Sequence, residues 1–262
     1  MHDLGQGVTL VTGGAGFIGS AIAWTLNNRN LDNLWLADFI QSNPAKQRNL
    51  NHIAHQRYLD AADLRELVRA DSPELAEIHT VIHLGACSST TETDEDYLHD
   101  NNFLYTKELA EWALAHDIRF VYASSAATYG DGSAGMDDQA DDLERYEPLN
   151  LYGQSKHKFD LHARDTGLLS RIVGLKYFNV YGPNEYHKDR MRSVVSQVYA
   201  NATDGQPVVL FKSHNPDYAD GGQLRGQDVG AVEQQAGRGE VAVVPCVTES
   251  SVNSMSVFVW AV

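Results

Sequence analysis

"VTLVTGGAGFIGSAIAWTL", residues 8–26, runs from an apolar, β-branched stretch into spaced glycines and then into a segment with helical periodicity. The glycines stand as Gly14-x-Gly16-x-x-Gly19, preceded by Gly13. A strand, a tight glycine turn and a helix start in that order let the backbone approach a pyrophosphate, whose charge the helix N-terminus favours. About 20 residues further on, Asp38 closes the apolar run "NLWLADF", where a carboxylate meets the ribose hydroxyls of an adenosine. The stretch predicts a dinucleotide-binding βαβ unit. Asp38 alone favours NAD, whereas Lys46 and Arg48 nearby suit a 2′-phosphate and NADP; NADP is the expected cofactor, with NAD possible.

Outward from this unit, strand-like and helix-like segments alternate. Strands are expected at 8–13, 33–39, 79–86, 119–125 and 171–182, with helices at 18–29, 62–70, 94–116 and around Tyr152. Short apolar strands separated by helices of this length predict an α/β fold with a Rossmann-type, doubly wound parallel sheet. The expected organisation is a dinucleotide-binding domain over 1–180 and a partial, incomplete C-terminal substrate lobe over 181–225. Residues 226–262 then form an anomalous tail.

Composition narrows the function. The 262 residues are 43% hydrophobic and 21% charged, an ordinary soluble-protein balance, and the formal net charge is −15. That acidity argues against nucleic acid or an anionic membrane as the main partner. Two cysteines make no disulfide framework, and the N-terminus lacks the basic start and apolar core of a signal peptide; a cytoplasmic location is expected. No histidine pair shows ligand spacing with a third partner, so no metal is expected, and His52 with His55 reads as a helix surface.

The stretch "LNLYGQSKHKFD", 149–160, puts Tyr152 and Lys156 one helical turn apart on one face. A neighbouring lysine favours phenolate and is expected to lower the phenol pKa. Bringing a phenol from ~10 to neutrality takes roughly three units, so a second cation such as an oxidised nicotinamide must contribute. Ser125, at the end of "RFVYASS", is then expected to steady the reacting oxygen.

Together, "TGGAGFIG", "SSA" and Tyr152-x-x-x-Lys156 resemble the extended short-chain dehydrogenase/reductase superfamily of sugar-nucleotide epimerases and dehydratases. "GACSSTTE" (85–92), "DNN" (100–102), "ASSAATYG" (123–130) and "YFNVYGPNEYHK" (177–188) sharpen the resemblance to its ADP-L-glycero-D-manno-heptose 6-epimerase branch. Where dehydratases carry an Asp-Glu pair after the serine strand, this chain has Ala126 and Ala127, which argues against water loss. The resemblance implies epimerisation at C6″ of an ADP-heptose through a transient 6″-ketone, and a homo-oligomer. It implies Tyr152 and Lys188 as the two acid/base groups, with Ser125 and Lys156 beside the first. It implies that Gly13, Gly14, Gly16, Phe17, Ile18, Gly19, Asp38, Phe39 and Lys46 grip the dinucleotide. Leu84, Gly85, Ala86, Cys87, Ser88, Asn101, Lys156, Val180 and Lys188 line it. Leu84 stands where an acidic residue is common. Asn179, Arg190, Gln197, Phe211, Lys212, Ser213 and Arg225 are implied on the substrate side. A nucleotide-sugar 4-epimerase and an inactive dinucleotide-binding fragment stand as alternatives. After Arg225 the resemblance stops within one residue, and the tail is expected to come from a reading-frame change or an altered gene end.

Overall fold

The computed structural model describes residues 5–39, 44–137 and 141–204. These fall in two units, one running through Phe178 and one starting at Asn179.

The first unit is built on six parallel strands. In chain order its elements are β1 (Val8–Thr12), α1 (Phe17–Asn27), β2 (Leu34–Asp38), β3 (Arg57–Asp60), α2 (Ala61–Arg69) and β4 (Ile78–His83). Then come α3 (Glu95–Leu98), α4 (Tyr105–Ala115), β5 (Arg119–Ser125), α5 (Leu151–Asp165) and β6 (Val173–Tyr177). The strands lie in the order β3-β2-β1-β4-β5-β6, every neighbouring pair parallel. The order reverses between β1 and β4, which is where a doubly wound sheet opens a crevice at its carboxyl edge.

Burial explains the sequence pattern. All five residues of β1 and of β2 are buried, so both strands read as unbroken apolar runs rather than as alternations. One apolar layer joins Leu10, Val81, Phe120 and Tyr122 to Leu64, Leu109, Phe159 and Ala163 of α2, α4 and α5. The other joins Val11, Leu34 and Leu36 to Ala23 and Leu26 of α1. Among the described residues no helix is long and apolar enough to cross a membrane.

Four expectations change. The edge strand β3 went unread: its four residues, RYLD, carry no apolar run, and register comes from Trp35 opposite Arg57, whose guanidinium lies 4.9 Å from the Trp35 ring centre. β6 ends at Tyr177 and not near 182: among the described residues it pairs with β5, which ends opposite it at Ser125. The helix expected over 94–116 is interrupted by a π-helical turn over His99–Leu104 between α3 and α4. His52 and His55 lie past a 3-10 turn over Pro44–Leu50, not on a helix, and His55 Nδ1 sits 2.9 Å from the Ile53 carbonyl oxygen.

In β6, Gly174 lies flat against Tyr122: a Cβ there would stand 2.6 Å from the Tyr122 hydroxyl. Tyr122 is fully packed and cannot retreat. Gly174→Ala is therefore expected to destabilise the chain by about 1–3 kcal/mol, read as a lowered midpoint in thermal unfolding by circular dichroism.

Candidate active site

The glycine turn joins three strand ends. Gly14 N–H donates to the Ala37 carbonyl of β2 (3.2 Å), and Leu84 N–H donates to the Thr12 carbonyl of β1 (3.2 Å). Gly13 has φ +67°, and a Cβ on it would meet Gly85 N at 2.8 Å. A Cβ on Gly19 would stand 2.0 Å from the Gly13 carbonyl oxygen. Gly16 caps α1 with no side chain to close its N-terminus, and Phe17 and Ile18 open the helix behind it. A bare helix start against backbone that only glycine permits fits a pyrophosphate.

Asp38 ends β2 beside this turn. One of its oxygens accepts from Ala15 N–H (3.1 Å); the other accepts from Phe39 N–H (2.8 Å) and from the Lys46 ammonium (2.7 Å). Arg48 is exposed, while Asn49 is buried and donates to the Ala15 carbonyl at 2.9 Å. A carboxylate held this way, with a lysine against it, fits the ribose end of an adenosine.

Across the turn lies the loop Leu84–Ser88, tied down by residues the sequence left unmarked. Thr12 Oγ1 accepts from Leu84 N–H (3.2 Å) and Gly85 N–H (3.1 Å), so its proton goes to His83 Nδ1, 2.7 Å away. His83 Nε2 then donates to Thr106 Oγ1 (3.0 Å), which donates to the Asn102 carbonyl (2.6 Å). Burial pushes the His83 pKa down to about 3, so the imidazole is neutral. Asn102, inside the π-helical turn, accepts from Cys87 N–H (2.8 Å) and donates to the Cys87 carbonyl (3.0 Å) and Ser155 Oγ (3.0 Å). Asn101, the neighbour singled out from the sequence, donates to Asn102 Oδ1 at 3.1 Å. A π turn widens the helix by one residue, which is how Asn102 reaches inward.

Ser125 and Tyr152 meet at the end of β5 and the first turn of α5. Asn150 caps α5 by accepting from Gly153 N–H at 2.8 Å. Ser125 Oγ accepts from Ala127 N–H (3.1 Å), and its hydroxyl acts on the Tyr152 phenol in the direction that favours phenolate. Ser124 points the other way, into the core, donating to Asp160 at 2.7 Å. Lys156 is buried and donates to the Ala123 carbonyl at 2.9 Å.

One expectation is overturned here. The Tyr152 pKa is raised, not lowered: burial pushes it up, the Ser125 hydroxyl only partly offsets this, and Cys87 and Asp160 add to the rise. Lys156 is not among the groups that lower it, and burial has brought the lysine's own pKa down to about 8, with Asp160 partly opposing that fall. Spacing of one helical turn put the two groups on one face but ignored the desolvation of both.

In the second unit, a 3-10 turn over Tyr186–Met191 carries Lys188 and Arg190. Glu185, 2% exposed, clamps its flanks by accepting from Gly182 N–H (2.9 Å) and from the Ser193 backbone N–H and hydroxyl. Gln197, on α6 (Val194–Thr203), donates to the Arg192 carbonyl at 2.7 Å. Asn179 and Arg190 are exposed and Val180 is half-buried. Phe211, Lys212, Ser213, Arg225 and the tail 226–262 lie outside the described residues.

The sequence profile of the NAD dependent epimerase/dehydratase family matches residues 9–225. The chain belongs to that family. It is similar to the ADP-L-glycero-D-manno-heptose-6-epimerase of Nitratidesulfovibrio vulgaris, 46% identical over 217 residues, or 82% of this chain and 66% of the relative. It is also similar to the protein of the same name from Fusobacterium nucleatum, 44% identical over 82% of this chain and 65% of that one. The chain thus spans just under two thirds of these relatives. Among solved structures, the Helicobacter pylori ADP-L-glycero-D-manno-heptose-6-epimerase superposes with a TM-score of 0.65 at 28% identity, covering 81% of this chain and 68% of that one. UDP-glucuronic acid 4-epimerase from Bacillus cereus, solved with NAD, gives 0.60 at 25% identity over 78% and 66%. Among the described residues, no group of three His, Cys, Asp or Glu side chains could hold a metal ion.

Lys156 gives this family member a measurable pH signature. Between its folded pKa of about 8 and its ordinary 10.5, the unfolded chain binds the proton and the folded chain does not. Stability from this group therefore rises with pH across that window, by on the order of 3 kcal/mol. Denaturant unfolding at stepped pH checks this: Lys156→Met is expected to remove that rise from the profile.

Proposed function

We propose that the chain is the dinucleotide-binding part of an epimerase that inverts C6″ of ADP-D-glycero-D-manno-heptose, giving ADP-L-glycero-D-manno-heptose. The observation that carries this reading is Tyr152 at the start of α5 beside Ser125 at the end of β5, with Lys156 buried one helical turn behind, in a family member whose curated relatives bear that activity in their names. A bound nicotinamide supplies a reversible hydride acceptor, so that oxidation at C6″ and reduction from the other face leave no net redox change. Tyr152 takes the proton from the 6″-hydroxyl as a 6″-ketone forms, and Ser125 donates to the same oxygen. A phenol that burial holds above its ordinary pKa suits the reverse reaction, in which Tyr152 gives a proton to the ketone oxygen on its own face. It suits the forward step only with a cation beside it, which makes hydride removal dependent on the oxidised cofactor being in place.

Inversion needs a second acid/base group on the opposite face, and Lys188 is the proposed one. The clamp that Glu185 makes on Gly182 and Ser193 supports this role, since a proton-transfer group on a loop must be held still. NADP is the proposed cofactor: Lys46 against Asp38 can neutralise the carboxylate and turn to a 2′-phosphate. Absence of the acid pair that dehydratases carry, at Ala126 and Ala127, supports epimerisation over water loss.

Turnover of ADP-heptose against UDP-sugars by the purified 262-residue chain tests the reading. Conversion of UDP-sugars alone would favour a 4-epimerase, and bound cofactor without any turnover would favour an inactive fragment. In the active protein, Tyr152→Phe and Lys188→Met are each expected to lower kcat by ~10²–10⁴ with the dinucleotide still bound, whereas Lys158→Met is not. Lys46→Ala is expected to weaken NADP about tenfold and to leave NAD little changed, as loss of one charge-assisted contact implies, measured by titration calorimetry.

A further inference from the structure

Ser125 and Tyr152 come from different elements, so something must fix the end of β5 against the start of α5. Asp160, two helical turns beyond Tyr152, has no exposed surface. Its carboxylate accepts from the Tyr122 hydroxyl (2.8 Å) and the Ser124 hydroxyl (2.7 Å) on β5, and from the Lys176 ammonium (2.7 Å) on β6. Lys176, 1% exposed, also donates to Thr128 Oγ1 (2.6 Å), and its ammonium stands 4.9 Å from the Tyr129 ring centre. Thr128 Oγ1 in turn donates to the carbonyl of Ser125 at 2.8 Å. An unbroken path thus runs from the α5 carboxylate, through the β6 ammonium, to the backbone of Ser125.

The path has little freedom. The donors reaching Asp160 come from two strands whose register is fixed, and the site is sealed from water. A slip of α5 by one residue is about 1.5 Å along its axis. That slip would break charge-assisted bonds with nothing to replace them, and would carry the phenol away from Ser125. The pair touches neither the glycine turn nor Asp38.

We propose that Asp160 and Lys176 are positioning residues that hold Tyr152 in place beside Ser125, independently of the dinucleotide site. The proposal rests on the reading of Tyr152 and Ser125 as the reacting pair.

A single substitution strands a buried charge and is expected to unfold the chain, so the first test uses the neutral double variant Asp160→Asn/Lys176→Met of the whole chain. The readout is the titration of the Tyr152 phenol by NMR on ring-labelled tyrosine, with and without saturating oxidised NADP, the signal being assigned by its loss in Tyr152→Phe. Position and charge give opposite signs. The Asp160 charge raises the Tyr152 pKa, so deleting it alone moves the phenol down; the Ser125 hydroxyl lowers the pKa, so losing its proximity moves it up. An upward shift of about half a unit or more is expected. No shift, or a downward one, in the folded variant overturns the proposal. NADP affinity is expected to stay within about threefold of the parent, and a larger loss overturns the claimed independence. In turnover of ADP-heptose, kcat is expected to fall about tenfold or more with KM little changed. If the parent turns over no sugar nucleotide, the proposed function fails while the phenol titration still decides the positioning role. If the double variant does not fold, Thr128→Val cuts the same path without touching either charge. It is expected to give the same upward shift, with Thr128→Ser restoring the parent value; parent-like titration by Thr128→Val overturns the proposal.

Discussion

A Cβ on Gly19 would lie 2.0 Å from the carbonyl oxygen of Gly13, and the rest of the first unit depends on its absence. Because that atom is missing, α1 begins directly against the turn that leaves β1. The turn in turn lies against Gly85 so closely that Gly13 cannot carry a side chain either. Three consecutive parallel strands, β2, β1 and β4, therefore bring their carboxyl ends to one point, and Asp38, the turn and the Leu84–Ser88 loop surround it. Any residue but glycine would push α1 off the sheet and open the crevice it shapes.

From that point a buried polar chain leads to the other half of the site. Thr12 holds the Leu84 and Gly85 amides and hands its proton to His83; His83 passes the connection to Thr106, Asn102 and finally Ser155, whose hydroxyl donates to the Tyr152 carbonyl at 2.7 Å. Each member is a donor or acceptor satisfied inside the core, so displacing one strands another. The glycine turn and the helix carrying Tyr152 and Lys156 are thereby parts of one polar framework, although their residues are about 140 positions apart in the chain. That coupling fixes the position of the Tyr152 phenol relative to the glycine turn, which is what the proposed transfer between a dinucleotide held at the turn and a substrate at the phenol would demand.

How far the sequence could be read follows from what each residue faces. The glycine turn, Asp38 and the strands β1 and β2 were legible because burial on both sides of the sheet turns them into apolar runs bounded by glycine. Ser125, Tyr152 and Lys156 were legible because their resemblance is written in short contiguous motifs. β3 was not, since four residues with charged ends and a single buried one, Leu59, look like a loop. The π turn was not, since nothing in "HDNNFL" departs from ordinary helix composition. Thr12, His83, Thr106, Asn102, Asp160 and Lys176 were missed for one reason: each is a polar residue on an element otherwise read by its apolar pattern, and its partner is remote in sequence. A polar residue where the helical stripe calls for an apolar one, as at Ser155, Lys156, His157 and Asp160 on α5, was the available signal.

The two buried lysines show how the same side chain divides into structural and chemical uses. Lys176 meets a carboxylate at 2.7 Å, a threonine hydroxyl at 2.6 Å and an aromatic face, so its charge is matched and its donors are taken up. Lys156, equally sealed, donates among the described residues to one neutral carbonyl, and burial lowers its pKa to about 8. An ammonium has three hydrogens, so Lys156 keeps donor capacity beyond that carbonyl. At a pKa of about 8 it is mostly charged near neutrality, with less in reserve than an ordinary lysine. A ligand bringing hydroxyl acceptors beside it would satisfy those hydrogens and raise the lysine pKa again, whereas desolvation keeps the Tyr152 phenol protonated until a further cation stands beside it.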